Sequence, residues 1–170
     1  MNREIVLTGP RNFVYINELR VAIENITNYI RISDRIASSG QPEEQQFKDI
    51  AQAGFQVVIN LAMPNSDNAI PEEGYIVTAR KMSYVHIPVP FDAPDVEHLK
   101  NFIGIMKGIQ DKKIWVHCVV NKRVSAFLYQ YQKLVHGMSH EEAAKVMLST
   151  WQPNEVWQKF MKLTLDQTRL

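Results

Sequence analysis

The chain has 170 residues, 45% of them apolar and 22% charged, a size and mix that suit one soluble globular domain with a substantial core. Its formal net charge of +1 excludes a general pull toward nucleic acid or an anionic membrane, so any positive field must be local. Its single cysteine excludes an internal disulfide and a multi-cysteine metal centre.

The first pattern is helical: in "VYINELRVAIENI" the residues Val14, Leu19, Ala22, Ile23 and Ile26 share one side. It makes residues 1–27 an N-terminal helical extension to a core expected over 28–165, within one domain spanning 1–170. "YIRIS" and "RIASSG" read as short strands ending at Gly40. "QPEEQQFKDIAQAG" reads as a helix, with Pro42 at its first position, Glu43 and Glu44 at its positive end and Gly54 at its stop. "FQVVINL" is a buried strand. "PEEGYIVTARKM" is a weaker helix, because Gly74 costs it stability, and "YVHIPV" is a further strand. The loop "PFDAPD" follows and leads into the amphipathic helix "DVEHLKNFIGIMKGIQ". "KIWVHC" is a strand of the fully buried type, and "NKRVSAFLYQYQKLV" a helix stopped near Gly137. "SHEEAAKVMLST" opens with a capping box, Ser139 and Glu142, and "PNEVWQKFMKL" is the last helix.

Strands alternating with helices in this order predict an α/β fold of three layers, with a mainly parallel central sheet of four to five strands flanked by helices. Ligands in such sheets bind at the carboxyl ends of strands, and Cys118 stands at one such end. The stretch "WVHCVVNKRVSAF" puts that thiol directly before a cationic helix start. A helix N-terminus and nearby cations favour the thiolate, which is the nucleophilic form. The free amides of the same turn form a concave anion site. The expected phosphate-binding set is therefore His117, Val119, Val120, Asn121, Lys122 and Val124. Asn121 tolerates the left-handed backbone a tight turn needs. Arg123 supplies a two-pronged clamp. Ser125 is expected to hydrogen-bond the sulfur as it leaves, and His117 to orient the loop.

A thiolate attacking a phosphate ester also needs a general acid for the departing oxygen. The loop after "YVHIPV" is the natural source, with Asp92 as first choice. Asp95 is second, because it also suits the N-cap of the next helix.

"VHCVVNKRVSAF" resembles the phosphate-binding loop of cysteine-dependent protein tyrosine and dual-specificity phosphatases, His-Cys-x5-Arg-Ser/Thr. "ASSGQPEEQQFKDIAQAGFQVVINL" resembles the opening of a bacterial branch of that superfamily, the beta-lactamase-hydrolase-like phosphatases. Together the two stretches extend the resemblance over about residues 28–150. The resemblance implies a dual-specificity phosphatase-like fold and hydrolysis of phosphomonoesters through a phosphate carried on Cys118. It also implies a phosphorylated protein or small molecule as substrate, with phosphate or sulfate able to occupy the loop, and no cofactor.

One departure stands out. Family loops place Arg six residues after Cys, whereas Arg123 is five after Cys118, Val124 falls at the Arg position, and Asn121 replaces a Gly. One helical position is a rotation of about 100°. Either Arg123 points away, giving a phosphate-binding pseudophosphatase without turnover, or the loop is one residue shorter and works. A third reading is a redox-sensing thiol, although no second cysteine exists to resolve it.

His136 and His140 have a metal-like spacing, but Gly137 and Ser139 separate them into two helices, so no metal site is expected. Trp115, Trp151 and Trp157 read as packing residues, and no aromatic–basic interleaving marks a nucleic-acid partner. No apolar run approaches the roughly 18 residues of a membrane span. The N-terminus lacks a signal-peptide pattern, so a cytoplasmic protein is expected.

Overall fold

The computed structural model describes residues 18–168. Val14 and the start of the first predicted helix lie outside them. Five strands form one sheet: β1 (Ile30–Arg31), β2 (Ile36–Ser39), β3 (Val57–Asn60), β4 (Ser83–His86) and β5 (Ile114–His117). Their spatial order is β1-β2-β5-β3-β4. Only the edge pair β1–β2 is antiparallel; β2, β5, β3 and β4 run parallel. The last strand in sequence thus lies in the middle of the sheet. Parallel neighbours of this kind are buried on both faces, which explains the unbroken apolar runs of β3 and β5.

Helices cover both faces. α1 occupies residues 18–24, α2 is Gln46–Gln52 and α3 is Glu73–Ala79. They pack on one face through Ile23, Phe47, Ile50, Ile76 and Val77, around Val58 and Trp115. α4 (Val96–Gly108), α5 (Lys122–His136), α6 (His140–Ala144) and α7 (Glu155–Phe160) cover the other face, and α8 (Leu165–Thr168) follows them. There Leu99, Phe102, Ile103, Phe127, Trp157 and Phe160 enclose Ile59, Ile114 and Val116. Each of these large side chains contributes roughly 1.5–3 kcal/mol on burial.

Strand alternation sorts the residues. Along β5, Ile114 and Val116 face α4 and α5, while Trp115 faces the α2 layer and His117 meets the Phe47 ring there.

Several boundaries differ from the sequence reading. α2 begins at Gln46, so Pro42, Glu43 and Glu44 lie in the turn before it; the Gln46 side chain accepts the Glu43 amide instead. The described part of the N-terminal extension joins the core, since Ile23 and Ile26 are buried against the sheet. Gly137 ends α5 in the left-handed region, φ 64°, where glycine costs no strain. His136 closes α5 and His140 opens α6, where its ring pairs with the Tyr129 hydroxyl at 2.7 Å. No helix among the described residues is long and apolar enough to cross a membrane.

Candidate active site

Cys118 follows β5 at the carboxyl end of the central strand, and its amide is held by the Ser39 carbonyl of β2 at 3.3 Å. The chain then turns through Val119, Val120 and Asn121 into α5. Asn121 makes the turn possible with φ 67° and ψ 5°, a left-handed conformation that asparagine tolerates better than most residues. Its side-chain amide donates to the Asn28 carbonyl at 2.7 Å and to the Ser38 hydroxyl at 3.1 Å. The amides of Val119 and Val120 find no backbone acceptor among the described residues. Those of the first turn of α5 lack acceptors within the helix. The loop therefore presents a row of free donors at the positive end of a 15-residue helix.

Arg123 is the second residue of α5 and is 7% exposed. Its Nε donates to the Val89 carbonyl at 2.8 Å, and its guanidinium lies over the Phe91 ring at 5.3 Å. Among the described residues no carboxylate pairs with it. A desolvated cation without a counter-charge is costly, and an anion is what would offset it. Arg123, Cys118, Val119, Val120 and half-buried Lys122 line one open cavity of about 560 Å³. Val124 is fully buried in the core. Arg123, five residues after Cys118, thus lines the same cavity as the thiol.

Other expected residues take different places. Ser125 donates its hydroxyl proton to the Asn121 carbonyl at 2.7 Å and accepts the Leu148 amide at 3.0 Å. Its proton is therefore committed to the turn, not to the sulfur. His117 does not line the cavity. Its ring is fully buried and its Nε2 donates to the Glu73 carboxylate at 3.0 Å. Asp95 caps α4: its carboxylate accepts the His98 amide at 2.9 Å, and the His98 ring accepts the Asp95 amide. Asp92 is exposed and lies outside the cavity wall, which its neighbour Phe91 joins. That loop is held by the Trp157 indole, which donates to the Phe91 carbonyl at 2.9 Å.

Glu73 was not visible as a site residue in the sequence. It is 3% exposed, and its carboxylate also accepts the side-chain amides of Asn60, at 2.9 Å, and Gln41. Burial raises the Glu73 carboxyl, but the hydrogen bond and charge of His117, with hydrogen bonds from Gln41 and Tyr84, outweigh it and hold it below the ordinary range. Burial and the nearby Glu73 push the Tyr84 phenol in the opposite direction, well above its usual value. Asn60 and His117 are register partners on β3 and β5, so the carboxylate bridges two adjacent strand ends.

The Gly-Gln-Pro stretch backs the same loop. Gln41 donates its amide to the Val119 carbonyl at 3.0 Å, and a Cβ on Gly40 would stand 2.8 Å from that oxygen. Gly40→Ala is expected to cost about 1–3 kcal/mol by overpacking, roughly 2–12 °C in melting midpoint for a chain of this size. Scanning calorimetry would check it, and an unchanged midpoint would mean that the loop yields freely.

The family model described as "DSP-PTPase phosphatase fused to NAD+ Kinase" matches residues 13–162. A DUF442 protein from Shewanella putrefaciens CN-32, described as a candidate phosphatase, is 35% identical, with 83% of this chain and 93% of that one covered and a TM-score of 0.74. Tk-PTP in its active form is 21% identical over 84% of this chain and 97% of that one, with a TM-score of 0.69. TpbA from P. aeruginosa, as a variant in complex with pTyr, is 15% identical over 84% and 79%, with a TM-score of 0.60. No curated protein matches the chain in sequence. The chain belongs to the DSP-PTPase phosphatase family, within the dual-specificity and protein tyrosine phosphatase-like superfamily.

Proposed function

We propose that this chain hydrolyses phosphomonoesters through a covalent phosphate on Cys118. The observation that carries the reading is the buried Arg123 guanidinium, unpaired with any carboxylate among the described residues and facing the cavity that Cys118 also lines. A phosphate dianion there would take hydrogen bonds from the amides of the Val119–Asn121 turn and the first turn of α5, and from the outer nitrogens of Arg123. Lys122 adds charge at the rim. Val124 contributes through its backbone only, and Ser125 by holding the turn. The sulfur attacks phosphorus, the ester bond breaks, and a carboxyl at the mouth must protonate the departing oxygen. Water then releases the phosphate.

The open mouth supports a phosphorylated protein side chain or a small phosphate ester as substrate, and the pTyr complex of TpbA is an example of the former in a protein of this fold. The binding-only reading retains the same anion contacts without turnover. Hydrolysis of an aryl phosphate by wild type and by Cys118→Ser separates the two. We expect turnover to vanish in the variant while inorganic phosphate still binds. Turnover that survives the substitution would remove the covalent mechanism, and an inert wild type that binds phosphate would leave the binding module.

A further inference from the structure

We propose that Asp67, on the loop between β3 and α3, is the catalytic proton donor to the leaving group, in the place that the sequence reserves for Asp92. The inference rests on the covalent mechanism above. In that step the Cys118 sulfur forms the S–P bond and the P–O ester bond breaks. Its electron pair stays on the departing oxygen, which takes the proton of the Asp67 carboxyl and leaves Asp67 as the carboxylate. In-line displacement requires the donor to sit across the cavity from the sulfur.

Among the described residues, Asp67 is the one carboxylate that lines the cavity shared by Cys118 and Arg123. It is exposed at the mouth, where a leaving group would exit. Its loop is tied to the phosphate loop, because the Asn68 side-chain amide donates to the Val119 carbonyl at 3.4 Å. Two successive turns hold it, Ser66 amide to Met63 carbonyl at 3.1 Å and Ala69 amide to Ser66 carbonyl at 2.9 Å. The loop after β4 contributes the Phe91 ring to the wall instead of a carboxylate, and Asp95 is committed to capping α4.

A proton donor matters in proportion to how poor the leaving group is, which a structural or steering role does not reproduce. The test compares phenyl phosphate, a poor leaving group, with 2,4-dinitrophenyl phosphate, a good one, in wild type, Cys118→Ser, Asp67→Asn and Asp92→Asn. Asp67→Asn is expected to lose about a hundredfold or more on the phenyl ester and less than about tenfold on the dinitrophenyl ester. Equal losses on both esters, full activity on both, or a leaving-group-dependent loss in Asp92→Asn in its stead would each overturn the assignment. An inert wild type, or activity surviving in Cys118→Ser, would overturn the covalent mechanism itself, and the assignment with it. Near-identical circular dichroism and melting of Asp67→Asn and wild type would exclude misfolding of this exposed, isosteric variant.

Discussion

Arg123→Lys is expected to lower kcat/KM on an aryl phosphate by at least about a hundredfold, some 2.7 kcal/mol of transition-state stabilisation, with the fold retained. The substitution keeps the charge, so it isolates geometry. Lysine cannot donate to the Val89 carbonyl as Nε does and at the same time present two parallel donors to an equatorial pair of phosphate oxygens. Its ammonium is also more strongly hydrated, and the buried site beside Phe91 offers little water to replace that shell. Steady-state kinetics checks the activity, and calorimetric titration with inorganic phosphate checks the binding. A change of less than about threefold in kcat/KM would show that the guanidinium does not reach the reacting phosphoryl group.

Glu73→Ala is expected to cost about 3–5 kcal/mol of stability, because it strips the partner from a buried ring donor, a buried amide and a half-buried one at once. Glu73→Gln should cost less, since it keeps the shape and one acceptor oxygen. The sign with pH is fixed by the direction of the shift. The folded carboxyl lies below its ordinary value of 4.5, so its contribution is fully present above that value and is lost as pH falls through the lower, folded one. The gap between wild type and Glu73→Gln in urea midpoint should therefore be widest near neutrality and narrow in acid. A gap that widens in acid would mean that the folded protein holds this carboxyl protonated.

The sheet was legible because β3 and β5 read as continuous apolar runs and the helices between them as periodic ones. The position of Cys118 at a strand end followed from that alone. Legible too was the family, through two stretches far apart in sequence. The structure brings the two together: Gly40 and Gln41 pack against the Val119 carbonyl of the other stretch. What the sequence could not show was contact across the sheet. Glu73 sits in a short helix with an unremarkable charge pattern, and only the register of Asn60 with His117 brings it under the loop. Asp67 and Asp92 are equally plain loop acids in sequence; their difference is that Asp67 lines the cavity whereas the other loop presents Phe91 there. The Ser125 hydroxyl was misread because its nearest acceptor is its own helix's first carbonyl, four residues back. Where α5 begins was equally hidden, since it follows a single left-handed residue, Asn121.

Cys118 is the chain's only thiol, and it is 1% exposed behind the turn that follows it. Chemically, the protein has one address for any thiol-directed reagent, and that address lines the cavity. An alkylating label therefore cannot scatter over the surface. The extent of a single mass increment counts open sites directly, and anything that occupies the cavity protects the whole molecule from modification.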